Sequence, residues 1–70
     1  MKKKGATMMI DLNKLVGLAE DVAIAKIKAA GFVARIINRN GVPFMYTMDY
    51  RTDRVNLEID NGKVTKADIG

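Results

Sequence analysis

Gly41 to Asn56 reads G-V-P-F-M-Y-T-M-D-Y-R-T-D-R-V-N. The stretch is too long for a tight turn and too apolar for an ordinary linker. It holds the only proline, both tyrosines, two of the five methionines, one of the two phenylalanines and two arginines. Connections in small domains commonly take about 2–6 residues, and longer ones are usually functional or disordered. Disordered segments are poor in aromatic and β-branched residues. An ordered loop, held out by the rest of the chain for a partner, is therefore expected. Its length also decides the fold. A tight hairpin forces its strands antiparallel, whereas a connection of about a dozen residues lets them run parallel.

Short strands flank this loop. Residues 32–39 (F-V-A-R-I-I-N-R) are rich in β-branched and aromatic side chains. Asn40-Gly41 then turns the chain out into the loop. Residues 55–60 (V-N-L-E-I-D) alternate, which sends Val55, Leu57 and Ile59 to the core and Asn56, Glu58 and Asp60 away from it. Asn61-Gly62 is a two-residue hairpin signal, because both central positions of a type I′ turn need positive φ. Residues 63–69 return antiparallel, with Val64, Ala67 and Ile69 as apolar contacts.

Upstream, Ala23, Ile24, Ile27 and Ala30 recur at helical spacing and predict a helix over 19–30. Glu20 and Asp21 sit in its first turn and Lys26 and Lys28 towards its end, as the helix dipole favours. Gly31 stands where a left-handed cap is needed. Ala19 occupies the start, where a Ser, Thr or Asp cap would contribute about 1 kcal/mol. Asp11 to Gly17 reads as a lead-in whose buried contacts are Leu12, Leu15 and Val16. Residues 1–9 are expected to be a flexible tail, with Met8 and Met9 beginning to dock. The order predicts an α+β domain over residues 10–70. One helix packs on a small mixed sheet, and the extended loop 41–54 joins two parallel strands.

Composition narrows the function. Seventy residues make one domain, and a chain of this size buries only about 60% of its unfolded surface. There is no Cys and no His. A disulfide, the usual zinc sets, a thiol nucleophile and an imidazole base are all excluded. Asp49, Asp53 and Glu58 form no marked carboxylate pair, and no glycine-rich phosphate loop follows a strand. No enzyme activity, metal or cofactor is expected.

The net charge is +4, much of it in Lys2, Lys3 and Lys4, which read as a solvated tail. The remainder is close to neutral and implies no acidic partner. Asp11, Asn13 and Lys14 interrupt the apolar run of about 7–15 residues that a signal peptide needs. No stretch approaches the roughly 18 apolar residues of a membrane span. The chain is expected to be cytoplasmic, or secreted with its signal removed. Phe44, Tyr46, Tyr50, Arg51 and Arg54 interleave aromatic and basic groups, as single-stranded nucleic-acid binders do. Asp49 and Asp53 among those arginines suit internal pairing better than phosphate contact.

Protein binding through the loop remains, and here the residues carry a specific likeness. Thr47 to Asn56, T-M-D-Y-R-T-D-R-V-N, resembles the reactive loop of the potato inhibitor I family of serine protease inhibitors, the chymotrypsin inhibitor 2 and eglin c type. The family pattern is close to T-[ML]-[DE]-[YL]-R-x-x-R-V, and the match runs from Thr47 through Val55. Leu15-Val16-Gly17 is similar to the family's L-V-G before the helix, and Gly70 to the glycine that ends many relatives. The variant D-Y-R-x-D-R-V-N is similar to a bacterial and fungal branch. The resemblance covers about residues 12–70.

The resemblance implies a loop that lies in a protease active site like a substrate. Met48 would be P1, the residue that fills the first pocket, and Met48–Asp49 the scissile bond. Tyr46 and Thr47 before it, and Tyr50 and Arg51 after it, would contact the protease. Arg54 takes the place of the first of two arginines that bond the P2 threonine and the acid after the bond, here Thr47 and Asp49. The second family arginine falls at Asn56, which inherits that loop-bracing position. The segment Gly41–Met48 is longer than in chymotrypsin inhibitor 2, so Pro43 to Met45 are expected to bulge. The family's tryptophan near the lead-in and the branch's cysteine pair are absent.

An unbranched P1 methionine suits the apolar pocket of a subtilisin- or chymotrypsin-like serine protease. The expected partner is such a protease, not a small-molecule substrate, a membrane or a nucleic acid. The alternative is a non-inhibitory protein- or nucleic-acid-binding module on the same scaffold. A monomer is expected, with pairing or exchange of the apolar loop between chains as the alternative that a mass measurement decides.

Overall fold

The computed structural model describes residues 10–70. The tail expected over residues 1–9, with Met8 and Met9, lies outside the described residues. A short 3-10 turn at Leu12–Lys14 leads into helix α1, Glu20–Ala29. Four strands follow: β1, Val33–Arg39; β2, Val42–Pro43; β3, Arg54–Asp60; and β4, Lys63–Ile69. The sheet order is β2-β1-β3-β4. β1 and β3 run parallel, and the other two pairings are antiparallel. The domain is thus α+β, one helix on a small mixed sheet, with the long loop joining two parallel strands.

The helix starts without a side-chain cap at Ala19, as its sequence implies. Tertiary pairing takes over part of that role. The Glu20 amide donates to the Gly62 carbonyl at 2.9 Å, and Gly17 and Val64 tie the lead-in to β4 through further backbone bonds. An orphan amide of the first turn is thereby satisfied. At the other end Gly31 has φ +86°. Its amide donates to Lys28, and that of Phe32 to Ile27, the paired bonds of a Schellman ending.

The core joins Leu15, Ala23, Ile27 and Phe32 to Val55, Leu57, Ile59 and Val64. Leu12, Ile24, Ala30, Ala67 and Ile69 pack around it, half-buried. Val16 is the exception among the expected contacts. It is exposed, because the chain turns at Gly17 with φ +92° and directs Leu15, not Val16, inward.

Two Asn-Gly turns have nearly the same geometry. Asn61 and Gly62 have φ +51° and +77°, and Asn40 and Gly41 have φ +53° and +79°. The first closes the expected β3–β4 hairpin. The second also makes a hairpin: β2 pairs back on β1, Asn38 opposite Pro43 and Arg39 opposite Val42. The loop therefore opens with a two-residue strand. Pro43 has no amide to continue the ladder and sits on the sheet edge, where proline is tolerated.

A bulge between Ile36 and Asn38 interrupts the β1–β3 register. Before it, Arg35 lies opposite Asn56; after it, Arg39 lies opposite the core-facing Ile59. Strict alternation would put Arg35 and Arg39 on one face. The bulge separates them and brings Arg39 to the helix, where it pairs with Glu20 at 2.5 Å.

Ala19→Ser supplies the missing cap and should raise stability by about 0.5–1 kcal/mol. Gly31→Ala forces a left-handed residue to carry a Cβ and should lower it by about 1–2 kcal/mol. Urea unfolding midpoints at constant slope check both.

Candidate functional site

The loop is tied by backbone at both ends and nowhere between. The Phe44 amide donates to the Ile37 carbonyl at 2.9 Å, and the Arg51 amide to the Gly70 carbonyl at 3.1 Å. Among the described residues, no backbone–backbone hydrogen bond involves Met45 through Tyr50. All of these residues are exposed. What orders them comes from side chains beneath.

Arg54 opens β3 and is only 7% exposed. Its Nη2 donates to the Asp49 carbonyl at 2.6 Å and to the Gly70 carbonyl at 2.7 Å. Its Nη1 lies 3.7 Å from the Asp49 carboxylate. The Gly70 amide returns a bond to the Arg54 carbonyl at 3.0 Å. Its Nε is buried without a partner among the described residues.

Arg35, in the middle of β1, holds the other side. Its Nη1 donates to the Thr47 carbonyl at 3.3 Å and to the Thr47 hydroxyl at 3.2 Å. Its Nε donates to Asn56 Oδ1 at 2.8 Å. The guanidinium carbon lies 4.8 Å from the Tyr46 ring centroid, within reach of a cation–π contact.

Thr47 is thus held from β1 and Asp49 from β3, with Met48 between them. Met48 is 88% exposed and Met45 100%. Tyr50 is also well exposed, whereas Tyr46 is partly covered by Arg35. Phe44 folds back towards Arg39, 5.6 Å from ring centroid to guanidinium carbon. An open apolar groove is lined by Pro43, Phe44, Met45, Tyr46 and Met48. The expected bulge over Pro43 to Met45 resolves into β2 followed by an outward-turned Met45.

Magnitudes show how far the bracing extends. Fixing one residue's backbone costs about 1–2 kcal/mol, and a hydrogen bond to a charged group contributes about 1.5–3 kcal/mol. Each arginine therefore offsets the ordering of one or two residues. That suffices for Thr47 and Asp49, the neighbours of Met48, and leaves the tips at Met45 and Tyr50 unbraced.

Two of the expected bracing contacts are made differently in the structure. Arg54 meets Asp49 as expected but not Thr47, which goes to Arg35. Among the described residues Asn56 makes no hydrogen bond to the loop; it reaches it through Arg35. Arg35 itself was missed. The only trace it leaves in the sequence is a charged residue inside an otherwise apolar strand, and its role depends on the β1–β3 register. Arg51 is expected at the protease side and is bound within the loop, its Nε and Nη2 on the Asp53 carboxylate at 2.9 and 2.7 Å.

The Asp49 carboxyl is held below its ordinary value, first by the nearby Thr47 hydroxyl; desolvation comes next and opposes it, and its own backbone amide, Arg54 and Arg35 add smaller lowering contributions. The Arg51 fork does the same for Asp53. No family model matches the chain, and no curated protein matches it.

A carboxyl whose folded pKa is depressed contributes its contact in full above the unfolded value, near 4, and loses it as pH falls through the lowered one. NMR titration of the Asp49 carboxyl should give a midpoint below that of a free aspartate. Thr47→Val removes the largest cause and should move the midpoint up. An unchanged midpoint would show that the hydroxyl does not act on it.

Proposed function

We propose that this chain is a reversible, substrate-like inhibitor of subtilisin- or chymotrypsin-type serine proteases, of the potato inhibitor I kind and its bacterial-type variant. The loop 41–54 is the inhibitory element, and Met48–Asp49 is the scissile bond. One observation carries the reading. Met48 projects at 88% exposure while the residue on each side of it is held from below by a different arginine.

That arrangement suits inhibition for a physical reason. A free peptide loses conformational freedom when a protease binds it, whereas a loop already extended has lost it in advance, so more of the contact appears as affinity. The amides around Met48 have no backbone partner among the described residues and are available to pair with a protease edge strand, in the manner of strand addition. Met48 supplies an unbranched apolar side chain for the first pocket. Met45, Tyr46, Tyr50 and the groove beside them supply flanking contacts.

The braces also bear on the fate of the bond. If it is cut, Thr47 remains on Arg35 and Asp49 on Arg54, and β1 and β3 stay paired. The new carboxylate and amine then stay close, and religation competes with release. The arginines have internal work: Arg51 on Asp53, Arg54 on Asp49, Arg39 on Glu20 and Arg35 on Thr47 and Asn56. This favours the inhibitor over the nucleic-acid-binding alternative, which needs guanidinium groups free for phosphate.

Titration of subtilisin and of chymotrypsin should give stoichiometric loss of activity, with the chain intact or cut only at Met48–Asp49 by mass. Met48→Asp puts a charge into an apolar pocket and should weaken inhibition at least about a hundredfold with unchanged stability. Rapid cleavage at several loop bonds, or no effect on either protease, would refute the reading.

A further inference from the structure

We infer that Arg35 and Asn56 act as one positioning unit, which sets the upstream side of the Met48–Asp49 bond as Arg54 sets the downstream side. The inference rests on the inhibitor reading and goes further, because it places the second brace on β1 rather than on β3.

Arg35 and Asn56 lie opposite one another in the parallel β1–β3 register, and both are half-buried. Asn56 accepts from Arg35 Nε at 2.8 Å. This bond leaves the outer edge of the guanidinium turned to Thr47, where Nη1 reaches both the carbonyl and the hydroxyl. Asn56 is itself confined. A Cβ placed on Gly70 would come within 2.7 Å of Asn56 Nδ2, so the carboxamide has a backbone close against its far side. Tyr46 covers the guanidinium at 4.8 Å. The fork is thus fixed by Asn56 on one edge, by Thr47 on the other and by an aromatic face.

Gly70 joins the two braces. Its carbonyl accepts from Arg54 Nη2 at 2.7 Å and from the Arg51 amide at 3.1 Å, while its α-carbon backs Asn56. A disturbance at Asn56 therefore reaches Thr47 through Arg35, and one at Gly70 reaches both sides of the bond. Lysine cannot replace Arg35, because a single ammonium does not present the planar fork that bonds Asn56 and Thr47 together.

The test measures three quantities on each variant: the inhibition constant, the rate of cutting at Met48–Asp49, and the urea midpoint. Arg35→Lys and Asn56→Leu should each weaken inhibition about ten- to a hundredfold and speed cutting. The double variant should be no worse than the poorer single one. Asn56→Asp keeps an acceptor oxygen for Arg35 and should stay within about threefold of the parent. A packing role predicts the reverse order, with leucine tolerated and aspartate not. Additive losses, or inhibition unchanged in Arg35→Lys, would overturn the unit.

The Arg35 Nε–H resonance separates this inference from the reading beneath it. It should be protected from exchange in the parent and in Asn56→Asp, and lose protection in Asn56→Leu. If the parent fails to inhibit while this pattern holds, the inhibitor reading falls and the Arg35–Asn56 pair stands. If the parent inhibits and the resonance is equally unprotected throughout, the pair falls alone.

Discussion

Two guanidinium groups hold a stretch of backbone that lacks backbone partners of its own. Arg54 reaches up from β3 to Asp49, and Arg35 from β1 to Thr47. Everything else in the domain can be seen as what this demands. The two arginines must stand side by side, so β1 and β3 must be neighbours. Because these strands run parallel, the loop leaves β1 at Arg39 and returns along the sheet to enter β3 at Arg54, opposite Val33. A parallel connection is long, and that length becomes the displayed segment. The helix and the β3–β4 hairpin then bury Val55, Leu57, Ile59 and Val64 against Ala23 and Ile27, which fixes β3 and hence Arg54.

Burial decides which brace is the stronger. Arg54 is nearly enclosed and makes short contacts to two carbonyls, where water competes little and charge-assisted bonds are worth more. Arg35 is more open, and its contacts to Thr47 are longer. Its hold depends on being oriented rather than desolvated. Asn56 and Tyr46 supply that orientation. The two sides of Met48 are therefore held by different physics, one by a buried charge and one by a positioned fork. Added salt weakens exposed interactions more than buried ones.

Much of the fold was legible because the sequence signals were local. The helical spacing of Ala23, Ile24, Ile27 and Ala30, the alternation from Val55 to Ile59 and the turn at Asn61-Gly62 each report on their own neighbourhood. The second Asn-Gly, at Asn40-Gly41, carries the same turn signal, but the strand after it lasts only Val42–Pro43 and shows no alternation to read. Val16 was misplaced because a single positive φ at Gly17 redirects the lead-in. In the candidate site Met48, Asp49 and Arg54 could be found from one contiguous motif. Arg35 could not. It lies twelve residues from Thr47 and twenty-one from Asn56, and only the parallel β1–β3 pairing sets it opposite Asn56.

Religation tests the central claim most directly. The chain would be cut at Met48–Asp49, then incubated with a catalytic amount of subtilisin and followed by mass. If Arg35 and Arg54 keep Thr47 and Asp49 in place, the intact chain reappears, and the same ratio of intact to cut chain is reached from either starting form. If the cut chain stays cut, or its two pieces separate, the loop is not held as described and the account fails.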